Sequence, residues 1–270
     1  MNQPCRRPPV AARWLPPTCL GGAWQMAIDG WLLDQQQPAL RFYHWSRPTL
    51  SLGFHQRRLP DHWWQLADQG VIDLVRRPSG GRAVLHGGDL TYALVWPDPP
   101  ARRLEAYAAA CRWLQEGFAL MGQPLAMGRE PVRRQAGGSC FASGTAADLI
   151  HPDGAKRIGS AQLWRRGRLL QHGSIQLQPP ADLWRELFGE APPALAPLPL
   201  ADGELIALLR RCAQTHLEPM GQLQERDLGP AELAQIAPRL EDQRPTADSR
   251  LTSPEAIMER TTVSRPMPSG

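Results

Sequence analysis

Arg76-Arg-Pro-Ser-Gly-Gly-Arg-Ala-Val-Leu-His86 is preceded by Ile72-Asp-Leu-Val75 and followed, across Gly87-Gly88, by Asp89-Leu-Thr-Tyr-Ala-Leu-Val-Trp96. A β-rich run enters a loop at Pro78 and a second strand leaves it. Paired glycines let successive backbone N–H groups point at an anion or a carbonyl oxygen. The pattern is neither G-x-x-x-x-G-K-[ST] nor G-x-G-x-x-G, so nucleotide binding does not follow from it. A plain hairpin without a ligand satisfies the same residues.

A second chemical signal lies downstream. Gly137-Gly-Ser-Cys-Phe141 is followed by Lys156-Arg-Ile-Gly-Ser-Ala-Gln162 and then by Leu169-Leu-Gln-His-Gly-Ser-Ile175. A thiolate at Cys140 needs a nearby cation to be populated at neutral pH, and Lys156 on an adjacent strand can supply it. The same ammonium can stabilise negative charge on a carbonyl oxygen under attack. Spacing alone leaves a structural role open for both residues.

The whole chain bounds the answer. Its 270 residues are 42% apolar, enough for a sizeable core in one large domain or two small ones. The net charge is only +4, and no basic run is interleaved with aromatics, so a nucleic-acid partner is not expected. The cysteines Cys5, Cys19, Cys111, Cys140 and Cys212 are odd in number and never spaced C-x-x-C. That argues against a disulfide framework or a metal site and for a reducing compartment, the cytoplasm. No apolar run reaches the roughly 18 residues of a membrane span, and the N-terminus lacks a signal-peptide core.

Periodicity supplies the elements. Residues 1–20, rich in Pro and Arg, read as a flexible arm. Trp24, Ala27, Ile28, Trp31 and Leu32 recur at helical spacing over Gly22–Gln36, and Pro38 ends that helix. Strands are expected over Leu40–Trp45 and Thr49–Phe54, where Gly53 either admits a ligand close to the backbone or simply ends the strand. A short helix over Asp61–Gln69 follows, then the strands around the glycine loop. A longer helix over Leu104–Met121 carries a stripe of Leu104, Tyr107, Cys111, Leu114, Phe118 and Met121, which makes Cys111 a packing residue. Residues 122–139 read as loop. Pro152-Asp-Gly154 turns one hairpin and Gly167 a second. Beyond Ala181 the texture changes to helices over Asp182–Phe188, Asp202–His216 with Asp202 as N-cap, and Pro230–Ala237. The implied organisation is an arm (1–20), a catalytic domain (21–189), a C-terminal helical extension (190–238) and a disordered tail (239–270).

Four blocks, in order, carry a resemblance. They are Met26-Ala-Ile-Asp29; Arg41-Phe-Tyr-His-Trp-Ser46 through Ser51-Leu-Gly-Phe-His-Gln56; Arg76–His86 with Asp89-Leu-Thr-Tyr92; and Lys156–Gln162 with Leu170-Gln-His-Gly-Ser174. Together they resemble the lipoate–protein ligase and octanoyltransferase superfamily, which shares its catalytic fold with biotin–protein ligases. Cys140-Phe141 ahead of the lysine hairpin is most similar to the LipM-type branch. The chain departs from the family pattern at Pro78 and at Ala147-Asp148, where the family has Tyr-Glu.

The resemblance implies an α+β fold with a mixed sheet flanked by helices, of the class II aminoacyl-tRNA synthetase-like kind. It implies octanoyl transfer from the phosphopantetheine of acyl carrier protein, through a Cys140 thioester, to a lysine of a lipoyl domain such as glycine-cleavage H protein. No bound cofactor, metal, nucleic acid or membrane is implied. Lys156 would polarise the acyl carbonyl, with backbone N–H groups of Gly159, Ser160 and Ala161 beside it. Arg76, Arg77, Ser79, Gly80, Gly81 and His86 would line one pocket wall, and Gln171, His172 and Gly173 the other. His86 or His172 would shuttle the acceptor's proton or hold a structural hydrogen bond. The rival readings are an ATP-dependent lipoate ligase, an amidotransferase between lipoyl domains, and a non-catalytic carrier-binding homologue.

Overall fold

The computed structural model describes residues 11–128, 148–217 and 220–245. In chain order the elements are β1 (Ala12–Leu20), α1 (Gly22–Asp34), β2 (Ala39–Trp45), β3 (Thr49–Leu52), α2 (Asp61–Asp68), β4 (Asp73–Arg76), β5 (Val84–His86), β6 (Asp89–Trp96) and α3 (Arg103–Leu120). There follow β7 (Ala126–Met127), β8 (Asp148–Ile150), β9 (Lys156–Arg165), β10 (Arg168–Gln176), α4 (Ala181–Phe188), α5 (Asp202–His216), β11 (Leu223–Glu225) and α6 (Pro230–Ile236).

The strands form two sheets. The larger runs β11-β1-β2-β6-β10-β9-β8-β7, and the smaller runs β4-β3-β5. Parallel pairing of β11, β1 and β2 beside antiparallel pairing of the rest makes the large sheet mixed, as expected. Long side chains such as Phe42, Trp113, Leu114 and Leu209 pack one face of it beneath α3 and α5. The other face buries Met26, Ile28 and Leu32 of α1 together with Tyr43 and Leu170. The small sheet closes its own core with Trp63 of α2 and Trp184 of α4. Among the described residues no helix is long and apolar enough to cross a membrane.

Several expectations need correction. Residues 12–20 are not an arm but a strand of the large sheet, paired between β11 and β2. Pro16 and Pro17 fall between Leu15 and Thr18, where the register against β2 shifts, so no ladder bond is asked of their missing N–H groups. Trp14 packs at 5.7 Å on Phe42, while Arg13 reaches Glu232 of α6 through two 2.8 Å contacts. The region 190–238 is not purely helical, because β11 extends the sheet beyond β1. Residues 239–245 are ordered as short 3-10 turns, with Arg239 on Asp34 at 2.7 Å; the rest of the expected tail lies outside the described residues. β4 and β5 do not form a hairpin with each other, since both pair with β3. Within the expected loop 122–139, Ala126–Met127 is a short strand and 129–139 lie outside the described residues. Leu104 is 73% exposed rather than part of the α3 stripe. Asp202 is the first helical residue, preceded by Ala201 as N-cap, and its carboxylate meets His44 at 3.0 Å.

Gly53 has a third role beyond the two anticipated. A Cβ there would stand 1.8 Å from the carbonyl oxygen of Gly81, so this glycine lets two loops touch. Gly53→Ala is expected to lower stability by on the order of 1–3 kcal/mol, read as a lower urea midpoint. Glu232 yields an acid-range prediction. Its hydrogen bonds from Arg13 are the main reason its pKa falls to about 2. Because that value lies below the unfolded one, the contribution is present above about pH 4.5 and is lost as pH falls toward 2. Glu232→Gln should therefore lower the melting temperature at pH 6, with the difference from the parent shrinking as pH drops through that window.

Candidate functional site

A cleft of about 460 Å3, part of it open to solvent, lies where the small sheet meets the large one. Arg77, Gly80, Gly81 and His86 line one wall, with Ser51 and Val84 beside them. Gly159, Ser160, Ala161, His172, Gly173 and Ser174 line the other, and Met26, Tyr43, Trp45 and Thr91 complete it.

Each histidine of the cleft is held at both nitrogens. His86 Nδ1 meets Asp89 Oδ2 at 2.8 Å, and its Nε2 meets the Ser51 hydroxyl at 2.8 Å. Its ring stacks 3.9 Å from that of Trp45. The Asp89 carboxylate also accepts from Ser174 Oγ at 2.6 Å, Thr91 Oγ1 at 3.0 Å and the Gly87 N–H at 3.1 Å. Burial pushes the Asp89 pKa upward, but His86, Ser174 and the Gly87 N–H outweigh it and hold the group below the usual carboxylate range.

His172 is built the same way from different elements. Its Nδ1 meets Asp29 Oδ2 at 2.9 Å, and its Nε2 meets Ser79 Oγ at 2.5 Å. The same Asp29 oxygen accepts from Tyr43 Oη at 3.0 Å, and Arg41 Nε stands 3.0 Å from the other oxygen. That last contact is close enough for an ion pair but bent away from a hydrogen bond. Burial, then the Asp29 charge, pushes the Tyr43 pKa well up, so the phenol keeps its proton and donates it.

Lys156, Ser79, Arg76 and Gln171 lie around the cleft rather than in its lining. Lys156 opens β9, buried, with its ammonium 2.9 Å from Asp148 on β8. Ser79 faces His172, as described above. Arg76 does not line the cleft; its guanidinium donates to the carbonyls of Gly53 at 3.1 Å and Gln56 at 2.7 Å, bracing the loop after β3. Gln171 points to the opposite face of the sheet, donating to Tyr92 Oη at 2.9 Å and accepting from Gln162 at 2.7 Å. Successive strand residues alternate, so Gln171 and His172 cannot share a wall. Gly173 has no room for a side chain, since a Cβ would sit 2.6 Å from the Tyr92 ring and 2.7 Å from Ser160 Oγ. Cys140 lies outside the described residues. Cys111 is buried against Gln171, and burial pushes its thiol up to about 12, which leaves it protonated and inert.

Sequence reasoning quoted Asp29, Ser51 and Asp89 within motif blocks but gave them no role. The signal was their position, each set near a motif histidine only once the sheet is assembled. Asp148 was noted only as a departure from a pattern, yet it is the counter-ion of Lys156.

A sequence model of the lipoyl protein ligase A/B catalytic domain matches residues 22–191. The chain belongs to that family. Relatives named octanoyltransferase LipM are 34% identical over 182 residues in Halalkalibacterium halodurans, covering 62% of this chain and 66% of that one. In Carboxydothermus hydrogenoformans the figures are 35% over 179 residues, covering 63% and 66%. The chain thus spans just under two thirds of the length of these curated relatives. The lipoyl ligase fold is also seen in a T. acidophilum protein solved with bound lipoic acid, at a TM-score of 0.73 and 18% identity, covering 86% of this chain and 96% of that one. Lipoate-protein ligase A bound with ATP aligns at a TM-score of 0.71 and 18% identity, covering 86% and 95%. In this member of the family, all the lining of the cleft falls inside the matched segment.

Removing one member of the Asp29 cluster strands its partners. Asp29→Ala leaves Arg41 buried without its counter-charge and should cost about 3–5 kcal/mol by chemical denaturation. Ser79→Ala, which removes one neutral partner of His172, should cost only about 1–3 kcal/mol.

Proposed function

We propose that this lipoyl ligase family member is an octanoyltransferase of lipoate assembly. The observation that carries the reading is its 34% identity to LipM octanoyltransferases over 182 residues. The presence of Cys140 ahead of the Lys156 hairpin supports it.

In the first step the Cys140 sulfur forms a bond to the thioester carbon of an octanoyl group on the phosphopantetheine arm of acyl carrier protein. The carbon–sulfur bond to the arm breaks, and the arm leaves as a thiol. In the second step a neutral lysine amine of a lipoyl domain attacks the Cys140 thioester carbon, the carbon–sulfur bond breaks, the amide forms, and the proton lost by the nitrogen ends on the Cys140 sulfur. Thioester is exchanged for amide, so the step needs no nucleotide. This is covalent catalysis that divides one transfer between two partners that need not meet.

Lys156 would stabilise the oxygen that becomes negative in both steps, with Asp148 keeping the ammonium in place. Backbone of Gly159–Ala161 would lie along the acyl carbonyl, and the apolar side chains Met26, Tyr43, Trp45 and Val84 would cover the octanoyl chain. His86 and His172, each with a carboxylate on Nδ1, are suited to relay that proton from the nitrogen to the sulfur. The acceptor would be a lipoyl domain such as glycine-cleavage H protein; a bi-partite lipoate protein ligase of the same fold from Thermoplasma acidophilum has been analysed structurally along with its E2 lipoyl domain. The free thiols Cys19, Cys111 and Cys212 favour a reducing compartment, the cytoplasm.

The test is intact mass after mixing the protein with octanoyl-acyl carrier protein in the absence of ATP. A hydroxylamine-sensitive gain of one octanoyl group is expected, absent in Cys140→Ala. Lys156→Met should acylate more slowly by on the order of a hundredfold. Lipoyl-domain modification that requires ATP and free acid, with no adduct on the protein, would replace this reading with a ligase.

A further inference from the structure

The loop between β3 and α2, residues 53–60, carries Phe54, His55, Arg57 and Arg58, and the chain has no acidic residue between Gly53 and Pro60. All four of these side chains are exposed, Phe54 by 44%. Several large apolar side chains are exposed among the described residues, and Phe54 is the one that stands among arginines beside the cleft. Arg57 lies 5.8 Å from the Phe54 ring. Neither Arg57 nor Arg58 forms an ion pair with a described residue.

The loop is not loose. Arg76 ties its carbonyls, and Gly53 rests against Gly81, whose backbone lines the cleft. The Phe54 N–H donates to the Ser79 carbonyl at 2.9 Å. Arg57 and Arg76 are close enough that, after burial, the charge of Arg57 lowers the Arg76 pKa. Arg57 and Arg76 therefore stand near one another beside the glycine wall of the cleft, in a fixed frame, and with the exposed Arg58 they form a positive patch that an anionic partner would complement.

We propose that the Phe54–Arg58 loop is the docking surface for the acidic face of the carrier protein that delivers the acyl arm. The proposal rests on the transferase reading above. An acyl chain on a phosphopantetheine arm reaches the cleft with a phosphodiester at the base of the arm, next to the carrier's surface. The anion thus arrives beside the cleft, where the arginines stand. A lipoyl domain presents its lysine directly on the chain and brings no such phosphate. Rim arginines steer encounter more than they add lasting affinity, which suits a donor that must leave after one transfer. Phe54 supplies the apolar centre of a small, transient contact.

The experiment compares the full chain with the R57E/R58E variant. Acylation of Cys140 is followed by intact mass with two donors, octanoyl-acyl carrier protein and the uncharged octanoyl-N-acetylcysteamine. Binding of unacylated holo-carrier is measured on the same proteins. Charge reversal should raise the half-saturating carrier concentration on the order of tenfold at low salt, and salt should erase most of the difference. Acylation by the small thioester should be unchanged, which also shows that the variant is folded. Equal acylation of both proteins by the carrier-borne donor would overturn the proposal. So would equal losses with both donors, or a defect confined to transfer onto the lipoyl domain. If neither donor acylates the parent protein, the transferase reading fails. Carrier binding then decides the docking surface by itself: charge-sensitive binding upholds it and charge-insensitive or absent binding rejects it.

Discussion

Burial of the Asp29 carboxylate is the constraint on which the site depends. A lone carboxylate in that position would be too costly to keep ionised, so the fold surrounds it with Arg41, Tyr43 and His172. These come from β2 and β10, while Asp29 itself comes from α1. Through His172 and Ser79 the same carboxylate reaches the glycine loop of the small sheet. One charge therefore fixes the separation of the two walls of the cleft. Asp89 repeats the device for His86, gathering Ser174 from the neighbouring β10 and Thr91 from its own strand. A buried polar network of this kind specifies one arrangement of its elements, because any displacement strands several buried groups at once.

Glycine makes the complementary contribution. Where the networks hold the walls apart at set distances, Gly53 and Gly173 let backbone and ring approach closer than any side chain would permit. The family motif thus mixes two demands, polar residues that must find distant partners and glycines that must leave space. Neither demand concerns the reacting atoms directly. Both serve to hold the cleft in shape.

That division explains what could be read from sequence. α1, α3 and the strands β2, β6, β9 and β10 announce themselves by period and by local turns such as Pro152-Asp-Gly154. β1 is hidden because its two prolines look like a break, and only its register against β2 shows that they stand at an irregularity. The cleft histidines were visible as motif residues, but their carboxylates were not assignable: Asp29 lies 143 residues from His172, and nothing local connects them. Gln171 is a different kind of miss. Strand alternation already placed it opposite His172, so the two could not have shared a wall. Lys156 was legible as a cation beside a hairpin, whereas its buried partner Asp148 required the pairing of β8 with β9.

The parallel pairing of β1 with β11 has a consequence for how the molecule is made. Arg13 and Arg226, in contact across that edge, are 213 residues apart. During synthesis the first strand emerges early, yet the strand that covers its flank is added only after the catalytic segment is complete. Until then β1 presents an open row of backbone donors and acceptors, the kind of edge to which another nascent chain can pair. The prolines at its bulge and the charge on Arg13 are the means by which the waiting strand resists that pairing. A chain interrupted after α5 would keep every residue of the cleft described above and still lack the piece that seals its sheet.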